Sequence, residues 1–403
     1  MYRFLIAAAA TTALSGSPLW ADDTVTSGMI ARQGLTATLQ HLRARPPGPD
    51  RDMALAATGF LTAIQSGYQS RWQYGNTSPA GGSMLFSLPV IDTTLPPNPD
   101  PQPMPDTLIN GIMGYLAGAM PGIRDEMPQD AGDGALVLRL DDLWFDGTLN
   151  GERDPGEDLR DLLFLPLPDG TPGEIRFDAA DLYWLRAYTH MVEGMAQAVL
   201  AFDPQPEVAA VMQLRRALAD QQETQAPESP EDFDALMQKD MFERPVDTAW
   251  IILQTLRHQP DAALIDAARA NFRAMIAANR DFWQAVATET DNDREWIPND
   301  TQKAVLGFEL PPGTGTTWLA VLDQADMILT GERLIPHWRF GPGYGIDLGK
   351  WLDAPVPVDL LAWMQGSQAM TYAREGEVLD GTAWRQFNQM FGGSAGLYMV
   401  LLN

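Results

Sequence analysis

DLYWLRAYTHMVEGMAQAVLAF, residues 181–202, carries Leu185, Tyr188, Val192, Met195, Val199 and Phe202 three or four positions apart. That spacing puts apolar side chains on one face of an α-helix. The same periodicity returns from Asp261 to Thr288, where Ile265, Ala268, Phe272, Ile276, Phe282 and Val286 form a second stripe. Shorter helices are expected over Ser27–Arg45, Arg51–Arg71, Thr107–Glu126, Trp318–Leu329, Val358–Ala373 and Trp384–Phe391. Ser229-Pro230-Glu231-Asp232 offers an N-cap, a proline at the first helical position and an acid at the third, so a further helix should start there. The predicted fold is mainly α, a multi-helix globular domain spanning residues 22–403.

Two stretches depart from this pattern. Residues 75–105 turn rich in Gly, Ser and Pro and close with PPNPDPQPMP, where proline removes amide donors and enforces an extended strap. Residues 136–177 form a small irregular or β segment, opening with the strand-like LVLRL and continuing through an acidic turn into PLPDGTPGEIRF. No repeat of 20–50 residues is present, and no composition shift is sharp enough to divide the chain.

The 403 residues are 45% hydrophobic and carry 27 basic against 53 acidic side chains, a net charge of −26. A chain of this length and apolarity buries a large core. Its charge excludes partners held by their phosphates, nucleic acid above all. With no cysteine, it forms no disulfide, thiolate metal site or cysteine nucleophile. Residues 1–21 have Arg3, an apolar run from Phe4 to Leu14, and a turn-prone end at Pro18-Leu19-Trp20-Ala21. This is the layout of a Sec-type signal peptide cleaved after Ala21, and it predicts a periplasmic or secreted protein. The apolar run is too short to span a bilayer, so no integral membrane segment is expected after cleavage. Loss of Arg3 takes the charge from −26 to −27.

One constellation has readable chemistry. From Asp146 the chain reads DGTLNGERDPGE, which sets Asp146 at position 1 of a calcium loop, Thr148 at 3, Asn150 at 5, Gly151 at 6, Glu152 at 7, Asp154 at 9 and Glu157 at 12. Ca²⁺ takes six to eight hard oxygens, so alternate residues must point inward, glycine must allow the turn at position 6, and a final glutamate must close the shell. The side chains of Asp146, Thr148, Asn150, Asp154 and Glu157 and the carbonyl of Glu152 would supply them. These twelve residues resemble the calcium loop of EF-hand and dockerin-like proteins. Three features differ from that pattern: neutral Thr148 at position 3, Arg153 where an aliphatic residue bridges to a partner loop, and the strand-like LVLRLDDLWF in place of an entering helix. The resemblance implies a single structural Ca²⁺ bound at about 0.1–1 mM. The exported helical chain, proline strap and loop together look similar to uncharacterised exported bacterial proteins, a likeness that implies no activity.

Other groups have weaker chemistry. Asp291, Asp293 and Glu295 have Trp296 where a calcium loop needs glycine, and read as a charged turn. Arg186, His190 and Glu193 share a helix face and could do acid–base work. Glu295, Asp300 and His337 stand beside Trp296 and Trp338, the carboxylate and aromatic mixture of a glycan cleft. Gly392-Gly393-Ser394-Ala395-Gly396 matches a nucleophile elbow but has no histidine after it, and Pro312–Thr317 lacks a phosphate-binding lysine. The leading expectation is therefore a calcium-binding helical protein of unstated activity. An exported glycan hydrolase or lyase and a periplasmic binding or assembly protein, with a glycan or protein partner, are the alternatives.

Overall fold

A computed structural model describes residues 25–75, 95–128, 132, 134–162, 173–222, 245–393 and 395–402. The predicted signal peptide, the helix start at Ser229 and the serine of the Gly392–Gly396 turn lie outside the described residues. The fold is mainly α, with two small two-stranded antiparallel sheets.

Three helices open the described chain: α1 (Val25–Arg43), α2 (Pro49–Gln73) and α3 (Leu108–Glu126). Irregular chain over 95–107 crosses back along the end of α2; residues 76–94 of the predicted strap lie outside the described residues. There the Trp72 indole N–H donates to the Pro96 carbonyl (2.9 Å), Asn98 Nδ2 to Trp72 O (3.1 Å) and the Gln102 amide to Gln73 O (3.0 Å). Strand β1 (Leu136–Arg139) pairs with β2 (Glu174–Phe177) in the register Leu136 to Phe177. Between them sit the turn of residues 146–157 and a single helical turn, α4 (Leu159–Leu162), and residues 163–172 of this segment lie outside the described residues. β1, Leu143, Trp144 and Phe145 pack with Leu39, Met53, Tyr68 and Met120 into the first core.

The quoted stretch forms α5 (Ala179–Phe202), opened by a capping box in which Asp178 accepts from Ala180 N–H and Asp181 accepts from Asp178 N–H. α5 packs against α3 and against α8 (Ala262–Val286), the other long helix, which Asp261 caps. Contact on both sides corrects the predicted stripe: Met195 and Val199 are each 36% exposed. The face toward α8 is instead built of small residues at heptad spacing: Ala180, Ala187, Gly194 and Ala201, all buried. A Cβ on Gly194 would stand 3.1 Å from Phe272 and 3.3 Å from the Ala268 carbonyl, so the two backbones approach as closely as glycine permits. On α8 the predicted stripe is buried, with Phe272 half-buried.

α6 (Gln205–Gln222) and α7 (245–255) follow α5, neither of them predicted. α9 (Thr314–Thr330) starts four residues ahead of the predicted Trp318 and packs with α8 and α12 (Thr382–Met390). The second core joins Ala187, Ile276, Phe282, Trp318, Phe387 and Leu402. α13 (Ala395–Leu402) closes it: the Trp184 indole N–H donates to Leu401 O (2.9 Å) and Asn279 Nδ2 to Leu402 O (2.8 Å). A third core lies under β3 (Tyr344–Ile346), α10 (Leu348–Asp353), α11 (Leu360–Gln365) and β4 (Ala373–Glu375). The helix predicted over Val358–Ala373 is broken there. α11 begins where Asp359 caps Leu361 and Ala362, and ends at Gly366, whose φ of 104° is open to glycine and strained for other residues.

Candidate metal centre

Antiparallel pairing brings the two ends of the loop together: Phe145 N–H donates to Glu157 O (2.9 Å), Leu159 N–H to Leu143 O (3.0 Å), and Trp144 bridges Asp158. The entering segment is a strand and a 3₁₀ turn (Leu140–Asp142), as its alternation implied. α2 fixes Asp146 from both sides, since Asp146 N–H donates to Gln65 Oε1 (3.0 Å) and Gln69 Nε2 to Asp146 O (2.7 Å). Leu95, from the strap, lies over Gly147, where an added Cβ would meet it at 2.5 Å. Arg153 pairs with Asp158 and donates to the Asp141 carbonyl (2.8 Å), bracing the loop against the chain that enters it.

Inside the turn, Leu149 (φ 63°) and Gly151 (φ 76°) both adopt left-handed conformation, which folds the middle of the loop back over its start. Gly151 N–H then reaches Asp146 Oδ1 (3.3 Å), position 6 to position 1, and Glu152 N–H reaches Asn150 Oδ1 (2.7 Å). Asp154 Oδ2 accepts from Thr148 Oγ1 (3.1 Å) and Asn150 Nδ2 (2.7 Å). Glu157 is 0% exposed. Its Oε1 accepts the amides of Gly147 (2.8 Å) and Thr148 (3.0 Å), and its Oε2 accepts that of Asp154 (2.8 Å). Burial pushes its carboxyl above the ordinary glutamate value, although the three amides and Thr148 pull the other way.

The loop thus carries the side-chain oxygens of Thr148, Asn150, Asp154 and Glu157 within one turn, with Asn150 turning Nδ2 rather than Oδ1 toward Asp154, both Glu157 oxygens held by backbone amides, and Asp146 bonded across the turn. They are hard oxygens, and the set fits Ca²⁺ in kind. Two of the four gathered groups are neutral. Among the described residues no group of three or more His, Cys, Asp or Glu side chains is arranged to hold a metal ion.

The other candidates are set apart from the loop and from one another. His190 and Glu193 belong to one buried polar network between α3, α5 and α8, joined through residues far away in sequence. Arg124 pairs with Glu193, Gln197 Nε2 donates to Glu193 Oε1 (2.9 Å), Asn271 Nδ2 donates to Gln197 Oε1 (2.9 Å), and His190 Nδ1 bonds Asn271 Oδ1 (2.7 Å). Burial holds His190 below its ordinary value, and its Nδ1 faces the side-chain oxygen of Asn271. Arg186 leaves this network and stands over the Tyr183 ring, 5.9 Å from its centre. Gln197 stands one helical turn from Glu193, whereas spacing could not show Arg124 and Asn271 as partners; only the packing of three helices does.

Glu295 is buried, and burial together with Glu289, Asp178 and Asp291 pushes its carboxyl up to about 7. Burial and Asp178 likewise raise Asp181 well above the ordinary aspartate value. Asp293 pairs instead with Arg294, while Trp296 packs between Phe177 and Trp184. Asp300 accepts Gly313 N–H with both oxygens (2.9 and 3.1 Å) and so fixes the start of α9. His337 Nε2 donates to the Trp363 carbonyl (3.0 Å), and Trp338, 73% exposed, donates its indole N–H to Met364 O (3.0 Å) under Arg339. Two apolar grooves of about 280 and 210 Å³ flank α9 and share Ala325 and Ile328; none of these candidates lines either. Among the described residues, no helix is long and apolar enough to cross a membrane.

Comparison of the chain with protein-family models, with curated proteins and with solved structures finds no match.

Proposed function

We propose that this is an exported, mainly helical protein whose loop Asp146–Glu157 binds one structural Ca²⁺. The observation that carries the reading is the hydrogen bond from Gly151 N–H to Asp146 Oδ1, made while Leu149 and Gly151 are both left-handed. A loop wound this way is the backbone path from which alternate side chains would turn toward one centre, as a calcium shell requires. The ion would be held by Asp146, Thr148, Asn150, Asp154, Glu157 and the Glu152 carbonyl, and would supply the positive charge that buried Glu157 lacks. It would thereby tie the β1–β2 excursion to α2 and the first core. Export to the periplasm or beyond, where free calcium is abundant, belongs to the same reading.

Thermal unfolding of the full chain with and without Ca²⁺ tests it. Saturation at a hundredfold excess over Kd should stabilise by about 2.7 kcal/mol. Asp146→Asn combined with Asp154→Asn keeps the shape of both side chains and should abolish the gain. An equal gain in that variant, or none at millimolar Ca²⁺, sinks the reading.

A second reading, a glycan hydrolase or lyase, draws on Glu295, whose carboxyl at about 7 has the poise of a general acid. Turnover of cell-wall glycan fragments that Glu295→Gln abolishes would establish it, and turnover unchanged in that variant would remove it.

A further inference from the structure

α5 ends at Phe202, and Asp203 turns the chain through a left-handed residue (φ 48°) into α6. After α7 the chain returns to the same corner, where Asp261 N–H donates to Ala201 O (2.8 Å). His258 sits at this junction with both ring nitrogens engaged: Nδ1 lies 2.9 Å from the Phe202 carbonyl and Nε2 lies 3.0 Å from Glu207 Oε1 on α6.

A carbonyl oxygen and a carboxylate oxygen can only accept, so each ring nitrogen must bring a hydrogen. The neutral imidazole has one N–H, and only the imidazolium satisfies both bonds. Glu207 needs that cation, because it is itself buried and its Oε2 has no hydrogen-bond partner. We propose that His258 is a pH-sensitive latch: doubly protonated, it fastens the base of α6 to the end of α5, and on losing one proton it lets α6 go.

Glu207 faces the ring from α6, and the Phe202 carbonyl and Asp203 face it from the end of α5. On its own segment Arg257 is turned to Asp359 (3.0 Å), and Asp261 caps α8. Both leave the ring to Glu207 and the carbonyl. Burial opposes the charge on His258, but the bonds to Phe202 and Glu207 outweigh it and raise the group above its ordinary value. The bonded state is therefore complete below the ordinary histidine value and is lost as pH rises through the folded one. α6 and α7 share an ion pair, Arg215 to Asp247 (2.8 Å), and the chain leaving α7 keeps its own tie through Val358 N–H to Leu256 O (2.7 Å), so release at the base loosens α6.

The test is a histidine-resolved NMR titration of the full chain, paired with hydrogen exchange over 205–222 at matched pH. His258 should titrate above the ordinary histidine value of about 6.5, and Glu207→Gln should lower it. Exchange in α6, corrected for its intrinsic pH dependence, should speed up about tenfold across that titration, as loss of one charged hydrogen bond implies. In His258→Gln the corrected exchange should not change with pH. A wild-type His258 titrating at or below the ordinary value, or corrected exchange in α6 that ignores its titration, overturns the latch. The wild-type titration is decisive by itself if either variant fails to fold.

Discussion

Two turns of this molecule have nearly the same ionic composition and surround a buried glutamate with different partners. Residues 146–157 hold Asp146, Glu152, Asp154 and Glu157 with one arginine, and residues 289–295 hold Glu289, Asp291, Asp293 and Glu295 with one arginine. In the first, left-handed Leu149 and Gly151 curl the chain, and three amides point at the buried Glu157. In the second, Trp296 occupies the place of the glycine and is drawn into the aromatic cluster of Phe177 and Trp184. It carries Glu295 inward with one amide, that of Asp293 (2.8 Å), and leaves it among other acids. Both turns contain a left-handed non-glycine residue, Leu149 in the first and Arg294 (φ 67°) in the second, so the difference lies in whether the buried acid meets several amide donors or other carboxylates.

The largest way to break this contrast is Glu157→Ala. It strands the buried amides of Gly147 and Thr148 and that of Asp154, and should cost about 3 kcal/mol or more in urea unfolding. Glu295→Ala removes a repelled group and should cost clearly less at pH 8; an equal loss would show that the two acids have the same standing.

Next in size is the pH dependence. Glu295 has a folded value raised to about 7, so the folded state holds its proton longer than the unfolded chain does. Its contribution is complete below the unfolded value, falls as pH rises, and is gone above about 7, a change on the order of 3 kcal/mol. Glu295→Gln should flatten that slope in melts run from pH 4.5 to 8. Asp293 and Glu174, bonded to Arg294 and Arg139 and held below their ordinary values, act in the opposite sense. Their support is present at neutral pH and fades as the solution becomes strongly acidic.

The smallest effect should come from Arg153→Ala. Its pair with Asp158 is a third exposed and screened by water, so a loss of about 1 kcal/mol or less is expected, and 0.5 M salt should shrink it further. A larger loss would locate the brace in Arg153 rather than in Gln65 and Gln69.

The long helices were legible because apolar periodicity survives in sequence, and the turn at 146–157 because its glycines and acids stand at countable positions. α6, whose buried face includes Val208, Val211 and Met212 in an otherwise polar run, leaves a weaker trace. The sheet of β3 and β4, three residues a side, is too short to show alternation. The face of α5 was misread for a physical reason. Bulky residues dominate any apolar count, while the close seam with α8 selects for the absence of bulk at Ala180, Ala187, Gly194 and Ala201. Arg124 and Asn271, partners of the predicted Glu193 and His190, lie 69 and 81 residues from them and leave no local mark.

The anchoring of α13 sets an order of events. Trp184 and Asn279 lie on the two central helices, yet their side-chain donors are completed only by the carbonyls of Leu401 and Leu402, 217 and 123 residues further on. Leu402 is itself 0% exposed. While the chain is being synthesised, the second core stays open until those residues have left the ribosome tunnel, whereas the first core already has every part it needs. The second core is therefore the later of the two to close, and a fusion that strains residues 401 and 402 will be felt at Trp184 and Asn279.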